Sequence, residues 1–516
     1  MINKRSRKHI LGMAVAMALS GYAVADNQAI VLQTSVEGGL GHEAFIEQSG
    51  SQNIAVSEQE GEINETEVNQ DGVWHESYNF SVGSDNWIRV EQQDDWHVAV
   101  VDIDGDENTA TITQDGFWNL AEIGIDGAMN DAAIFQSGDQ SEATINLAGD
   151  NNSVELHQEG DTNWTNAGFV GSDNEFFSSQ QGNANESGLF NLVGDGNLMD
   201  VEQYGDGNVG GVVGLVGSDN EFAVQQDGVS NVFIAFDVSG TGNVVDVYQT
   251  GAENTFLLEP LAGEDNMVLI QQEGTANNVD APIGVSGHDN LVDVYQVGSS
   301  NDAFFATFGD GHDVTIYQQG QQNIGEVVLD GDENAAFIES IGDFNYAGAA
   351  AVGINNEINI EQNGTDNFAL VTIDLGIDNI IDVMQDGTEN FSQVELVGID
   401  NSFSIEQTGD ANELLVTNDG VLSGQQFVAQ QQGELNLIDV LLAGSDNIMN
   451  VSQFGVANWV GAVDGEVAFV QGGDAGSVSI TQSGNDNAVF GSQMGAGNVM
   501  SVTQTGDFNT ATVIQN

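Results

Sequence analysis

The chain has 516 residues, with 65 glycines, 2 prolines and no cysteine. It contains 80 acidic and 5 basic residues, which gives a formal net charge of −75. So few cations cannot neutralise phosphates, which argues against nucleic-acid binding and against anionic membrane surfaces. The lack of cysteine excludes a disulfide framework and a thiolate metal site.

The first 25 residues have the composition of a secretory signal peptide. Basic residues near the start are followed by the apolar run 10–19 and by Ala23-Val24-Ala25, an A-x-A cleavage pattern. The run is too short to span a bilayer, which favours cleavage over a retained membrane anchor. We therefore predict a signal peptide over 1–25 and a secreted repeat domain over 26–516, with no insertion into a membrane.

From residue 27 onwards the chain repeats one short pattern. Its clearest copy, 290–301, reads N-x-Φ-x-Φ-x-Q-x-G-x-x-N, where Φ is apolar. The alternation has the period of two that predicts a strand with one buried face. The glycine allows a turn, and the last Asn begins the next strand. The Q-x-G-x-x-N core occurs about twenty times, so the chain is a repeat protein.

Two kinds of half-repeat alternate, and each ends in a turn after roughly 11 residues. One kind has Gln two positions before the turn glycine, as at Gln114 and Gln158. The other kind has an apolar residue there, as at Leu147 and Leu329. We therefore predict an all-β fold, a two-sheet β-solenoid of strand–turn–strand coils with about 22 residues each, stacked in parallel about 4.8 Å apart.

The rhythm is interrupted in three places. The segment 93–97 lacks the turn glycine, 413–433 has extra residues around Asn418-Asp419-Gly420, and 461–476 is rich in glycine. We expect bulged coils or loops at these segments rather than domain boundaries.

Inward-facing amides near the turns would be costly to bury alone. In stacked coils each amide can donate to one neighbour and accept from the other, as in the Asn and Gln ladders of cross-β structures. The predicted ladder residues are Gln48, Asn53, Gln114, Asn119, Gln158, Asn163, Gln203, Asn208, Gln249, Asn254, Gln296, Asn301, Gln385, Asn390, Gln453, Asn458, Gln504 and Asn509. His42, His75, His97 and His312 occupy the turn-Asn position and are expected to substitute for Asn there.

Both ends of the repeat region differ from its middle, because Gln occurs there in both kinds of half-repeat. These residues are Gln48, Gln59 and Gln70 near the start, and Gln482, Gln493 and Gln504 near the end. Neither end resembles the polar capping units of soluble solenoids. A free sheet edge is a template for pairing with another copy, so we expect head-to-tail assembly into a homopolymer.

The repeat resembles the curlin repeat of curli major and minor fibre subunits, whose pattern is S-x5-Q-x-G-x2-N-x-A-x3-Q. The Ser position is usually Asn here, as at Asn290, and Asn301-Asp302-Ala303 keeps the N-x-A. The resemblance covers about residue 27 to the C-terminus. It implies an extracellular functional amyloid that polymerises at the cell surface, builds biofilm matrix, and mediates adhesion and cell aggregation. It also implies curli-type secretion and nucleation proteins as partners.

Three tryptophans, Trp74, Trp96 and Trp118, are 22 residues apart and each precedes a turn Asn or His. Stacked coils would bring them together in a short aromatic ladder at one edge. Such an edge could bind a sugar polymer or a neighbouring filament. The alternative is that the rings only stack on one another and stiffen the edge.

Acidic turns such as Ser84-Asp85-Asn86 and His288-Asp289-Asn290 offer the oxygen ligands that Ca²⁺ prefers, although the calcium-binding nonapeptide pattern is not matched. The alternative is that these acids only solvate a secreted protein; no other cofactor is predicted. The outward acids Asp200, Asp246 and Asp293 alternate with uncharged residues along the stack, which indicates that their spacing limits the repulsion between like charges. We therefore expect fibres to form faster at low pH or with divalent cations.

Catalysis is not predicted. Parallel β-helices include polysaccharide lyases, but such chemistry needs Lys or Arg, and Arg89 is the one cation after residue 25. Paired carboxylates could serve a glycosidase, yet the acids recur as regular turn residues and no pair stands out. The preferred function is a structural fibre subunit. The alternative is a non-polymerising cell-surface adhesin that uses the solenoid as a spacer and binds polysaccharide or Ca²⁺.

Overall fold

The computed structural model describes residues 27–282, 284–374, 376–461 and 468–516. The predicted signal peptide, 1–25, lies outside the described residues. The chain divides into two compact units, one ending at Val229 and the other beginning at Ser230. Across the described ranges every regular element is a β-strand, and none is a helix.

Each unit is a two-sheet β-solenoid, in which every coil contributes first to one sheet and then to the other. We call the sheet that carries the Gln half-repeats the glutamine sheet, and the other the opposite sheet. In the first unit the glutamine sheet comprises Glu43–Ser51, Glu65–Val73, Trp87–Asp95, Thr109–Phe117, Asp131–Asp139, Ser153–Glu159, Glu175–Gln181, Leu198–Asp206 and Glu221–Val229. Its opposite sheet comprises Asn27–Ser35, Asn53–Glu62, Glu76–Ser84, Val98–Asp104, Leu120–Asp126, Glu142–Ala148, Trp164–Val170, Glu186–Val193 and Val209–Ser218.

The second unit has the same plan, with shorter and more divided strands in its opposite sheet. Its glutamine sheet comprises Val244–Ala252, Met267–Thr275, Leu291–Ser299, Asp313–Gln321, Ala335–Asp343, Glu357–Thr365, Ile380–Thr388, Ser402–Asp410, Gln426–Glu434, Ile448–Val456, Ser477–Asn485 and Val499–Thr505. Its opposite sheet comprises Val232–Thr241, Thr255–Leu258, Leu261–Glu264, Asn278–Ala281, Val285–His288, Asp302–Phe304, Thr307–Phe308, Ile324–Glu326, Leu329–Asp332, Tyr346–Ala347, Gly353–Ile354, Phe368–Leu370, Gly376–Ile377, Phe391–Val394, Gly398–Ile399, Glu413–Asn418, Leu422–Ser423, Leu437–Leu442, Trp459–Gly461, Phe469–Gln471, Ala488–Gln493 and Thr510–Gln515.

Neighbouring strands run parallel and keep equivalent repeat positions side by side. In the glutamine sheet of the second unit, Gln296 is paired with Gln318 and Gly298 with Gly320. Because paired strands belong to successive coils, the side chains of one repeat position form a column along the stack. The predicted all-β, two-sheet solenoid with about 22 residues per coil is therefore confirmed.

The core of each unit lies between its two sheets. On the strand Leu291–Ser299, Val292 and Val294 are fully buried, whereas Asp293 between them is exposed. The apolar residues of the other half-repeat are buried as well, as at Leu329. Burial of these aliphatic columns contributes about 25 cal/mol for each Å² of apolar surface removed from water.

The corners between strands depend on backbone conformations that glycine favours. In the turn 298–301, Gly298 has a φ of 125° and Ser300, just before the Asn, has a φ of 55°. A Cβ on Gly298 would lie 1.9 Å from the carbonyl oxygen of Gly320 in the next coil. At Gly298 the turn is therefore too tightly packed for a side chain.

The segment 93–97 is not a bulged coil, so that expectation is wrong. Asp94 takes the place of the missing glycine, is paired with Gly72, and adopts a φ of 75°. Asp tolerates the left-handed region better than most residues, so no extra residue is needed. Only the pairing towards the next coil is interrupted, between Gln92 and Asp95.

The extra residues of 413–433 form a loop, as expected. The strand Glu413–Asn418 ends there, and the chain rejoins the opposite sheet at Leu422–Ser423. Within 461–476, residues 462–467 lie outside the described part of the chain. After them, Phe469–Gln471 pairs in parallel with the strand Leu437–Leu442.

Candidate functional site: amide ladders and an aromatic corner

The Gln side chains of the glutamine sheet form a chain of hydrogen bonds in each unit. Nε2 of Gln296 donates to Oε1 of Gln318 at 2.8 Å. It also donates to the backbone carbonyls of Asn278 and Asn301, at 3.0 and 3.1 Å. Gln296 is fully buried, and an unpaired amide there would cost about 1–3 kcal/mol. The ladder therefore allows a polar column to lie inside the core.

The Gln-to-Gln bonds within each unit share one direction: the lower-numbered residue donates and the higher-numbered residue accepts. The bonds that involve the other predicted Gln residues join Gln48 to Gln70, Gln114 to Gln136, Gln158 to Gln180, Gln203 to Gln226, Gln249 to Gln272, Gln385 to Gln407, Gln453 to Gln482 and Gln482 to Gln504, at 2.8–3.0 Å. In one coil Ser340 stands in this column between Gln318 and Gln362. Its hydroxyl donates to Oε1 of Gln362 at 3.1 Å, so a shorter side chain keeps one of the bonds.

The Asn residues that begin the strands of the opposite sheet form a second column, at the corner. Oδ1 of Asn301 accepts from the backbone N–H and from Nδ2 of Asn323, both at 3.1 Å. Nδ2 of Asn301 in turn donates to the carbonyl of Gly320 at 3.1 Å. The bonds of the other predicted Asn residues run along the same column, at Asn53, Asn119, Asn163, Asn208, Asn254, Asn390, Asn458 and Asn509. Each side chain thus satisfies backbone groups that the turn leaves unpaired.

A matching Asn column at the other corner was not among the predicted ladder residues. Oδ1 of Asn86 accepts from the backbone N–H of Asn108 at 3.0 Å, and Oδ1 of Asn108 accepts from that of Asn130 at 3.0 Å. The sequence signal was available, because these residues close the same G-x-x-N turn in the apolar half-repeat.

A third kind of ladder, made by carboxylates, was also missed. Oδ1 of Asp106 accepts from the backbone N–H of Ser84 at 2.8 Å, and Oδ1 of Asp150 accepts from that of Ala128 at 2.8 Å. These acids directly follow turn glycines, where Asp, Asn and Ser recur. Bonds to a charged acceptor are stronger than neutral ones, so acids at this position reinforce the stack as well as solvate it.

His75 and His97 take the place of Asn in the corner column of the first unit. Their buried rings stack with centroids 5.2 Å apart and planes 7° apart. The backbone N–H of Asn119 donates to Nδ1 of His97 at 3.2 Å, and Nε2 of His97 donates to the carbonyl of Gln93 at 2.6 Å. Burial lowers the pKa of His97 to about 4. The neutral imidazole therefore reproduces one acceptor and one donor of Asn.

Trp74, Trp96 and Trp118 lie at one corner of three successive coils. The rings of Trp74 and Trp96 are parallel at 5.0 Å, so they cover one face of each other. Trp118 is turned by 77° to Trp96 and stacks on Phe117 at 6.1 Å. All three have a positive φ, of 66°, 69° and 64°, which bulky residues seldom adopt. They are 42%, 39% and 56% exposed, so this aromatic corner faces solvent.

The acidic turns that offer oxygen ligands for Ca²⁺ have an Asp with a positive φ at the corner between two strands. Asp85 and Asp289 have φ values of 56° and 55°, a conformation that Asp tolerates. Among the described residues, no group of three or more His, Cys, Asp or Glu is placed to hold a metal ion. A search of the same residues for a helix long and apolar enough to cross a membrane found none.

Five segments match the curlin associated repeat: 83–116, 105–138, 194–228, 287–320 and 376–409. Each begins at the glycine of a turn that leads from the opposite sheet to the glutamine sheet, and each ends at the turn glycine of a glutamine-sheet strand. Each matched segment therefore contains two ladder-bearing strands of the glutamine sheet and the opposite-sheet part of the coil between them. No curated protein matches the chain.

Proposed function

Because this chain is a curlin-repeat protein, we propose that it is a secreted structural subunit of an extracellular, amyloid-like fibre. In this role it contributes to biofilm matrix, surface adhesion and cell aggregation, and it depends on curli-type secretion and nucleation proteins. It has no enzymatic activity in this proposal, and its main partner is itself. The observation that carries the proposal is the ladder of buried amides in parallel register, since a ladder can continue from one molecule to the next.

The joint between copies is proposed to run head to tail through coils that carry Gln in both sheets. Near the start, Gln33 of the opposite sheet donates to Gln59 at 2.7 Å; near the end, Gln493 donates to Gln515 at 3.1 Å. Continuing in the same direction, Gln515 would donate to Gln33 of the next copy. The glutamine-sheet ladder would continue likewise, from Gln504 of one copy to Gln48 of the next.

The register of the two ends supports this joint. Asn27 precedes Gln33 by the same spacing that separates Asn509 from Gln515. Pairing of Asn27–Ser35 with Thr510–Gln515 of another copy would therefore bring amide beside amide at both positions. This joint would therefore have a Gln ladder in each of its two sheets. Coils with an apolar residue in the opposite sheet have a Gln ladder in the glutamine sheet alone.

The test uses the chain that begins at residue 26. Fibre growth is followed by thioflavin fluorescence and electron microscopy after addition of preformed seeds. The double substitution Gln504→Leu/Gln515→Leu should slow elongation by up to roughly thirtyfold, since it removes two bonds of the joint that are each worth about 1 kcal/mol. The control is Gln362→Leu, which removes two ladder bonds inside the second unit, from Ser340 and to Gln385, and should leave elongation rates near those of the unmodified chain.

Two results would count against the proposal in different ways. A monodisperse monomer at high concentration that seeds do not convert would exclude the fibre and favour the non-polymerising adhesin. Normal elongation by the double variant, together with ordinary fibres, would exclude this joint and leave the fibre in place.

A further inference from the structure

The outer face of the glutamine sheet in the first unit contains a groove of about 650 Å³. Its walls include the half-buried rings of Phe135, His157, Phe177 and Tyr204. Ser179 lies on its floor, because it is paired with His157 on the neighbouring strand and follows Phe177 by two residues on its own strand. A small side chain among four rings leaves the depression open to solvent.

The rings of the groove are not one continuous stack. Phe135 and His157 are nearly parallel, with centroids 4.6 Å apart. Phe177 is tilted by 46° to His157 at 6.0 Å, so these two rings do not fully cover each other. Ring surface therefore remains available to the flat, apolar face of a ligand.

The rim of the groove is acidic and rich in hydrogen-bonding groups. Glu159 accepts a bond from Nε2 of Gln181 at 3.0 Å, and Asp115 is exposed beside the groove. Glu155, two residues before His157, accepts from its Nε2 at 2.7 Å. After residue 25 the sequence offers one Lys or Arg, which is already engaged with Glu91. The carboxylates of the rim are thus not neutralised by neighbouring Lys or Arg.

We propose that this groove binds a cationic amino-sugar polymer, a chain of glucosamine-type units with free amino groups. The C–H faces of the sugar rings lie on Phe135 and Phe177, and the ammonium groups lie near Glu159 and Asp115. An anionic polysaccharide is excluded by charge, and a neutral one gains the ring contacts without the ion pairs. The ligand differs from a free monosaccharide because the groove extends along the stack.

The length of the groove favours a polymer. Its lining residues come from five successive strands of the glutamine sheet, from Thr109–Phe117 to Leu198–Asp206. At the usual spacing between strands, five strands extend over about 19 Å, which is long enough for several sugar units. The proposal depends on the proposed function only in placing the chain outside the cell, where such polymers occur.

The experiment measures sugar binding by titration calorimetry on the unassembled chain from residue 26, at low ionic strength. The probe is a glucosamine tetramer, and the matched ligand is the N-acetylated tetramer, which has the same rings without the charge. We expect the charged tetramer to bind at least roughly tenfold more tightly, since several ion pairs are lost on acetylation.

The variant Phe135→Ser/Phe177→Ser tests the site itself. It should weaken binding of the charged tetramer roughly tenfold, because two ring contacts are lost. The control is Phe337→Ser, which removes a half-buried ring from a smaller groove of about 420 Å³ on the outer face of the second unit and should bind as the unmodified chain does. Thermal melting of each variant verifies that the coils remain folded.

Two outcomes would overturn the proposal. If the double variant binds the charged tetramer as tightly as the unmodified chain, the attraction is general to an acidic protein and the groove is not the site. If the acetylated tetramer binds equally well, the ligand is not a cationic sugar. Seeded fibre growth is measured separately, so a failure of assembly and a failure of sugar binding are distinguishable.

Discussion

The carbonyl oxygen of Gly320 occupies the space that a Cβ on Gly298 would need, since the two would be 1.9 Å apart. The turn glycines of successive coils therefore lie in direct contact through their backbones. This contact fixes how closely the coils can stack, and the ladders of side-chain amides form at that spacing.

Gly298→Ala should destabilise the second unit strongly. The added methyl group collides with backbone that cannot move without displacing the next coil, and the φ of 125° is unfavourable for Ala. We expect a loss of about 3 kcal/mol or more in the free energy of unfolding, measured by guanidinium denaturation. Gly420→Ala is the control, because Gly420 also has a positive φ, of 87°, but a Cβ there meets no atom within 4 Å. It should cost about 1 kcal/mol, and equal losses at both sites would contradict this account.

Gln296→Leu should destabilise the same unit by removing one member of the amide ladder. Gln272 would lose an acceptor and Gln318 a donor, and both lie in the core. We expect a loss of about 2–3 kcal/mol in the free energy of unfolding. Gln271→Leu is the matched control, since its amide bonds to Glu273 on the outer face, and it should change stability by less than about 0.5 kcal/mol. If the ladder did not stabilise the unit, both variants would change the free energy of unfolding by a similar small amount.

His97 should make the first unit sensitive to mild acid. Burial lowers the pKa of His97 to about 4 in the folded chain, against 6.5 for an exposed His. The unfolded chain therefore binds the proton more readily, so the free energy of unfolding should fall as the pH drops from about 6.5 to 4. The full difference is on the order of 3 kcal/mol.

His97→Asn provides the test, because Asn keeps the donor and the acceptor of the corner column without titrating. Thermal unfolding of the first unit at pH 7 and pH 4.5 should show a smaller shift in this variant than in the unmodified chain. The acidic residues titrate in both proteins, so the difference between the two shifts isolates His97. Identical shifts would show that its protonation has no effect on stability.

Asp200→Asn should stabilise the first unit at neutral pH. Burial, together with the neighbouring Glu202 and Glu175, raises the pKa of Asp200. The folded chain then binds a proton more readily than the unfolded chain, so the free energy of unfolding falls as the pH rises through that pKa. We expect a gain of about 0.5 kcal/mol at pH 7 that disappears in acid. Asp227→Asn removes the same charge at an exposed position and should change stability less.

Repulsion between acids should also set the rate of fibre growth. Asp200 is paired with Ala223, and Asp293 with Leu269, so acids of this column do not follow one another directly at these steps. Partial desolvation by neighbouring side chains, together with the charge of Asp313, raises the pKa of Asp293 although its side chain is exposed. We expect seeded growth to accelerate at low pH or with divalent cations, as followed by thioflavin fluorescence. Growth rates that are indifferent to both conditions would contradict the repulsion argument.

The coil could be predicted from the sequence because two independent patterns in the repeat agree. Alternation between apolar and polar residues defines the inward face, and the Q-x-G-x-x-N turn repeats at a nearly constant spacing. At Gln296 these two signals are enough to place the strand and its inward face. The curlin resemblance carries the same information, because the Gln and Asn of the Q-x-G-x-x-N pattern are the ladder positions.

Other features depend on geometry that spacing alone does not determine. Asp94 lacks the glycine signal, yet its own tolerance of a positive φ keeps the coil regular. The hydrogen bond from the backbone N–H of Ser84 to Asp106 could not be predicted from the spacing of the repeat, because spacing does not show that the Asp106 carboxylate reaches back to the preceding coil. The rotation of Trp118 away from the stack of Trp74 and Trp96 depends on its contact with Phe117, which periodicity does not reveal.

The Gln and Asn columns repeat the same side chain in most coils, which has a consequence for folding kinetics. A strand that paired one whole coil out of register would still meet another Asn and another Gln in the expected places. The free-energy cost of such a shift is therefore small in these columns. The correct coil must then be distinguished by the inward apolar side chains, whose sizes differ within a column, as between the paired residues Ile405 and Ala429. Substitutions that make these volumes uniform would be expected to trap the chain in misaligned stacks before they reduce its final stability.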